Sequence, residues 1–443
     1  MSLYAGACIR DVSPQSPMFL VGYPHVPRIS TGIHDPLLAS AICLRNDASA
    51  VLLMAIDMLF IGTAFARKVR KEISIQTGLP ESHIFISCTH THSGPVMVDI
   101  LSWRDDPCVP PVDEKYLAFL QDGIVAAAVE AAKTPHKATL AWTTADASGV
   151  GSNRLSVDGV TDSEVGILAV QKVNGDLLAI STIYGMHPTV LHEDSTLVSG
   201  DFPAYTRQHL REKYGDDIVV VYHNAPCGNQ SPRYAVKAQT FEEAERLGRM
   251  LGERVSDAIN GLKEEDFSAD VIVSGMMDSI ETIPRIIPTV ADAEEMLKNR
   301  NDEFERLKAE NAGHVLVRTA ECAIFGAEET VVLAHAQETG ELSRIHDDYR
   351  QADVQAIQIG NLTLVGWPCE LFTEYAFELK TRCAGNVYAV SLVNGELQGY
   401  IVTKQAMKEG GYEAANSLFT PATGEMLVNA GVKLVEKLRE AVI

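Results

Sequence analysis

The chain has 443 residues, with 37 basic against 59 acidic side chains, a net charge of −22, and 46% apolar residues. That apolar share excludes a disordered chain, and so acidic a surface repels nucleic-acid phosphates and anionic membranes. The longest apolar stretch, around Ala50 to Ile61, is interrupted by Asp57, so no spanning helix is expected.

The N-terminus, MSLYAGACIRDVSP, lacks the basic start, apolar centre and small-residue cleavage site of a secretory signal. Cys8, Cys43, Cys88, Cys108, Cys227, Cys322, Cys369 and Cys383 are scattered and form no C-x-x-C pair. The expectation is a reduced, cytoplasmic protein without a disulfide framework or zinc ribbon. The length suits one large or two fused domains. With no internal repeat and no low-complexity linker, a single α/β body over residues 1–443 is expected.

Taken in chain order, Ala39–Leu44 and Ala50–Ile56 are apolar runs separated by Arg45-Asn46-Asp47, the pattern of a hairpin. Ala64–Thr77 has helical spacing and ends at Gly78, and His83–Cys88 reads as a short strand. Tyr116–Lys133 is an Ala-rich helix, followed by a Gly/Ser-rich loop at 147–153 and strands at Val165–Val173 and Leu177–Tyr184. Asp201-Phe202-Pro203 is a helix start, with Asp as cap and Pro in the first turn. A β-branched strand at Ile218–Tyr222 precedes an amphipathic helix at Phe241–Asn260. Thr289–Glu310 shows one apolar face (Val290, Ala293, Leu297, Phe304, Leu307) amid charge. With the Ala-rich segment behind it, it predicts a helical hairpin inserted at about 289–336: a solvated helix packed on the body, or else a dimer arm or lid. A homo-oligomer contact is expected only there. Strands at Leu362–Val365 and Val387–Val393 and a helix at Glu425–Val442 complete the reading.

The chemistry-bearing residues follow strand ends. The strand before Thr89-His90-Thr91-His92 leads into a Gly-Pro turn, and extended backbone would put His90 and His92 on one face. Such a pair can bind a metal jointly, bind and shuttle a proton, or simply be hydrogen-bonded loop histidines. His187 follows the 177–184 strand. The loop His223–Pro232 follows the next one and carries Ser231. Glu370 follows the 362–365 strand and is expected in a first helical turn, where the helix dipole favours a carboxylate. Tyr400 follows the 387–393 strand. Residues gathered at the C-terminal ends of apolar strands occupy the edge where open α/β sheets place a ligand crevice. Imidazole, carboxylate and phenol donors suit zinc.

His90-Thr91-His92-Ser93-Gly94-Pro95, the His187 segment, Leu197–Asp201, Gly228–Pro232, Gly399-Tyr400 and Tyr412-Glu413-Ala414 together resemble the catalytic domain of neutral/alkaline non-lysosomal ceramidases. Gly22-Tyr23 and Gly32-Ile33-His34 fit as well, so the resemblance spans nearly the whole chain in order. It implies a fold of mixed β-sheets flanked by helices and one Zn2+ held by His90, His187, Glu370 and Tyr400. It implies a proton-moving His92, oxyanion donors in Arg154 and Tyr412, and Ser231 as a group that orients water or substrate or, alternatively, acts as a nucleophile. Arg233 stands where the lipid enzymes usually carry an uncharged residue, which suits an anionic or polar substrate.

The expected activity is zinc-dependent hydrolysis of an amide bond in a small soluble molecule. The rivals are an esterase or lactonase using the same centre, an amidohydrolase-type barrel with its own H-x-H, and a metabolite-binding relative without catalysis.

Overall fold

The computed structural model describes residues 2–23, 25–156 and 158–441. Its first eight long strands are β1 (Leu3–Asp11), β2 (Leu38–Arg45), β3 (Ala50–Ile56), β4 (Ile84–Cys88), β5 (His136–Asp146), β6 (Glu164–Lys172), β7 (Leu177–Tyr184) and β8 (Val219–Asn224). They form one mixed sheet in the order β8-β7-β6-β5-β1-β2-β3-β4. A second sheet, in the order β9-β10-β11-β12, consists of β9 (Val273–Glu281), β10 (Gln351–Ile359), β11 (Leu362–Gly366) and β12 (Asn386–Val390). Among the described residues neither sheet closes into a barrel, which overturns the amidohydrolase-type alternative.

Side-chain alternation sorts the strands into layers. Ile42, Leu44, Leu53, Leu168, Val170, Val219 and Val221 from the large sheet pack with Ile357, Ile359, Leu362, Leu364 and Val390 from the small one. Their sequence neighbours point the other way. Ala41, Cys43, Leu52 and Met54 meet the helices α1 (Thr63–Thr77) and α2 (Glu114–Lys133). Ile167, Ala169, Ile180 and Val220 meet α3 (Phe202–Tyr214) and α4 (Phe241–Asn260). On the small sheet Val354, Ala356, Val365 and Ala389 face outward. Across the chain come α5 (Val290–Ala309), α6 (His314–Thr339), α7 (Thr373–Arg382) and α8 (Pro421–Glu440), and the last three supply much of the cover on that side. Two sheets face each other between helical layers, and each fully buried Leu or Ile contributes roughly 1.5–3 kcal/mol.

Asp201 caps α3 as expected, its carboxylate accepting from Phe202 N, and Gly78 ends α1 with φ +75°. The α5–α6 pair is the predicted hairpin. Of α5 only Ala293 is fully buried, whereas α6 packs on the body through Glu329, bonded to Trp103 Nε1, and Gly326, close against Tyr412. The expected end of the last helix at Val442 lies outside the described residues. No described helix is long and apolar enough to cross a membrane.

The arrangement brings the two edges of the large sheet together. Ser87 Oγ of β4 lies 2.7 Å from His223 Nδ1 of β8. The segment after β12 bridges them: Ser391 N donates to Asn224 O, and Asn394 N donates to Ile86 O, each at 2.8 Å. The parallel pairs β3/β4, β7/β8 and β11/β12 thereby send their C-terminal loops toward one place.

Candidate metal centre

His90 leaves β4 in a left-handed conformation, φ +70°, so the extended-backbone argument for the H-x-H pair does not hold. Backbone of this kind costs a non-glycine residue about 1–2 kcal/mol and persists only where surroundings fix it. Here His90 N donates to Met58 O and its Nδ1 lies 2.9 Å from Leu59 O. His90 and His92 nevertheless converge, their rings 5.0 Å apart and nearly perpendicular. Glu370 also departs from expectation. It belongs to a two-residue strand, Glu370–Leu371, and α7 starts only at Thr373, so a helix dipole does not act on it. That strand pairs in parallel with Tyr400–Ile401, placing Glu370 directly opposite Tyr400.

Each imidazole has one nitrogen against backbone carbonyls. His187 Nδ1 is 2.8 Å from Cys227 O and 3.0 Å from Gln230 O, and His92 Nδ1 is 3.1 Å from Gly22 O. Carbonyl oxygens only accept, so Nδ1 carries the proton in His90, His92 and His187, and each Nε2 presents a lone pair. All three Nε2 atoms and Glu370 Oε2 are buried without a hydrogen-bond partner among the described residues. Yet His90 Nε2 and His187 Nε2 lie 3.1 and 3.3 Å from that carboxylate oxygen. Lone pairs facing a carboxylate repel unless a cation sits between them. Ligands about 2.0–2.1 Å from a tetrahedral ion are separated by about 3.3 Å, the spacing found here. The three histidines' donor atoms all lie within 4.8 Å of one another.

Burial, with the nearby Arg154 guanidinium, pushes the His187 imidazole down to about 4. Burial and then His90 and His187 push His92 well below its ordinary value. For Glu370 burial alone would raise the carboxyl, but positive charge on the side of His90 and His187 holds it well below the usual range. A neutral-imidazole, ionised-carboxylate set is what a divalent cation requires.

The remaining expected residues surround this group. The Tyr400 ring stacks toward His187 at 6.5 Å, and Tyr412 meets Tyr400 edge-on at 5.9 Å. Arg154 lies with its guanidinium carbon 5.4 Å from the Tyr400 ring centre, and its Nε is 2.8 Å from Glu413 Oε1. Ser231 pairs with Ser152 beside Arg154, and its Oγ accepts from Arg233 N at 3.3 Å. Seven of the eight expected residues are thus linked by these contacts, and Ser231 follows Gln230, whose carbonyl lies 3.0 Å from His187 Nδ1. Sequence reasoning missed Glu413 as the partner of Arg154, although it lies inside the quoted Tyr412-Glu413-Ala414 motif. It also missed the carbonyls of Leu59, Cys227 and Gln230, which leave no side-chain signal.

Residues 4–246 match the family described as neutral/alkaline non-lysosomal ceramidase, N-terminal. The neutral ceramidase of Pseudomonas aeruginosa is 21% identical over 481 residues, covering 95% of this chain and 70% of that protein. Neutral ceramidase A of Dictyostelium discoideum is 23% identical over 233 residues, covering 48% of this chain and 32% of its own length. The crystal structure of the Pseudomonas aeruginosa neutral ceramidase superposes with a TM-score of 0.78 at 17% identity, covering 100% of this chain and 75% of that one, and so shares the fold. The matched segment contains both histidine loops, Arg154 and the Ser231 loop and exceeds half of the sequence: the chain belongs to the neutral/alkaline non-lysosomal ceramidase family.

Proposed function

We propose that this chain is a zinc-dependent hydrolase that cleaves an amide bond in a small soluble substrate, and that it works in the cytoplasm. The observation that carries the reading is the approach of two imidazole lone pairs to one buried carboxylate oxygen, at 3.1 and 3.3 Å. His90, His187, Glu370 and Tyr400 would hold a single zinc, a nitrogen–oxygen donor set suited to a catalytic rather than a structural ion. Zinc bound there would polarise the scissile carbonyl and make water acidic enough to act near neutral pH.

The chain's own groups do the rest. His92 is neutral, with Nδ1–H tied to Gly22 O and Nε2 open. It takes a proton at Nε2 as water adds to the amide carbon and returns it to the departing nitrogen, so that amide and water give carboxylate and amine. Arg154 and Tyr412 donate toward the carbonyl oxygen as it gains charge. Burial would lower the Arg154 guanidinium, but Tyr400 and Glu413 keep it protonated. Ser231, tied to Arg233 N, orients water or substrate; among the described residues its hydroxyl meets no imidazole or carboxylate that could serve as a general base and make it a nucleophile.

Elemental analysis of the purified protein and of His187→Ala, with hydrolysis of N-acylated amino acids and amino sugars followed in parallel, tests this. One zinc per chain and turnover are expected in the native protein, and neither in the variant. Full metal occupancy in His187→Ala would overturn the assignment.

A further inference from the structure

Above the buried centre lies a partly exposed rim. Tyr23 stands 5.4 Å, ring to ring, from His92 and 4.6 Å from His192. Arg318 of α6 crosses to Glu193, 3.4 Å from its carboxylate, and also binds Glu321 at 2.7 Å. Arg233, two residues after Ser231, completes this rim: its NH1 donates to Arg154 O at 3.1 Å, and its NH2 reaches only Cys322 Sγ of α6, at 4.0 Å. The positive charges of Arg318, Arg28 and Arg233 are all felt at His192.

Arg233 differs from its neighbours. Arg154 has Glu413, Arg318 has Glu193 and Glu321, and the buried Arg28 spends its guanidinium on Ser195 O, His92 O and Ser93 Oγ, but among the described residues no carboxylate lies within ion-pair reach of the partly exposed Arg233. A guanidinium has five N–H donors in a planar fork, and here a single carbonyl and a long contact to sulfur engage it. In a chain with 59 acidic side chains against 37 basic ones, a partly exposed arginine left without an acidic partner beside a reaction centre is a receptor waiting for an anion.

We infer that Arg233 is a specificity residue that binds a carboxylate on the amine side of the scissile amide, so that the substrate class is the N-acyl amino acids. The inference rests on the proposed amide hydrolysis and deepens it. The test compares N-hexanoylglycine with the neutral N-hexanoylethanolamine, both for hydrolysis by the metal-loaded protein and for binding by calorimetry. The native protein is expected to prefer the carboxylate by about tenfold or more in kcat/KM and in affinity, the discrimination a charged hydrogen-bonded pair provides. Arg233→Met should collapse the ratio between the two compounds to near one, and Arg233→Lys should keep part of it as a point charge. Equal handling of both compounds by the native protein, or an unchanged ratio in Arg233→Met, overturns the inference while leaving amide hydrolysis standing. Arg233-dependent binding of N-hexanoylglycine without hydrolysis of either compound would support the receptor and refute the hydrolase.

Discussion

Arg207 of α3 and Asp57, just beyond β3, form a buried two-pronged ion pair, NH1 to Oδ1 at 2.8 Å and NH2 to Oδ2 at 2.6 Å. The same carboxylate accepts from Thr89 Oγ1 at 3.0 Å, one residue before His90, and from Leu38 N at 2.9 Å. The charge that interrupts the longest apolar run of the sequence therefore anchors the histidine loop. Removing one partner leaves the other charge buried and unpaired, so Arg207→Met should cost about 3–5 kcal/mol of unfolding free energy in urea. The double variant Arg207→Met/Asp57→Leu should cost clearly less than the sum of the two single changes. A loss below about 1 kcal/mol in Arg207→Met would show that the pair does not hold the loop.

Stability should fall as pH rises through the neutral range. Glu329 of α6 is buried, its carboxyl group accepting from Trp103 Nε1 at 2.8 Å and hydrogen-bonded to Ser102. Burial, against those hydrogen bonds, pushes its carboxyl from 4.5 to about 8. The folded chain thus keeps a proton that the unfolded chain releases. The associated stabilisation is complete below pH 4.5, declines as pH rises and is gone above about 8. Asp201, raised chiefly by burial to about 7, and Glu396, raised by burial to about 8, add slopes of the same sign. In Glu329→Gln the dependence of unfolding free energy on pH should lose about one proton across this window. A slope identical to that of the native protein would rule out Glu329 as its source.

Much of this was legible in the sequence because periodicity and caps act locally. The β2–β3 hairpin, α1 ending at Gly78, and α3 beginning at Asp201 follow from residues that touch near neighbours. Strand β5 at 136–146 and the long antiparallel pair β9/β10 were not read. β9 carries Ser274, Gly275, Asp278 and Ser279 in place of an apolar run and is held by its partner across 70 or more residues. The motif residues of the site were visible because side-chain chemistry identifies them. The curling that brings Ser87 to His223 was not, and neither were the carbonyls that set each imidazole's tautomer. Those depend on main-chain geometry that any side chains of suitable size permit.

His92 decides between two ways of reading the centre. Geometrically it belongs with His90 and His187, since their donor atoms cluster within 4.8 Å, but the proposed zinc set omits it in favour of Glu370 and Tyr400. Among these three histidines it is also the one whose residue is only partly buried, although its Nε2 is enclosed like theirs. His92→Ala should therefore keep its zinc while turnover falls by roughly 10²–10⁴-fold, the usual worth of a positioned proton carrier. Gly22→Ala should give the same pattern by another route. Gly22 has φ +123°, and a Cβ there would sit 2.5 Å from His92 Nδ1, displacing the ring without touching His90 or His187. Loss of metal from His92→Ala, to the extent seen in His187→Ala, would make the third imidazole a ligand and leave the proton transfer to another group.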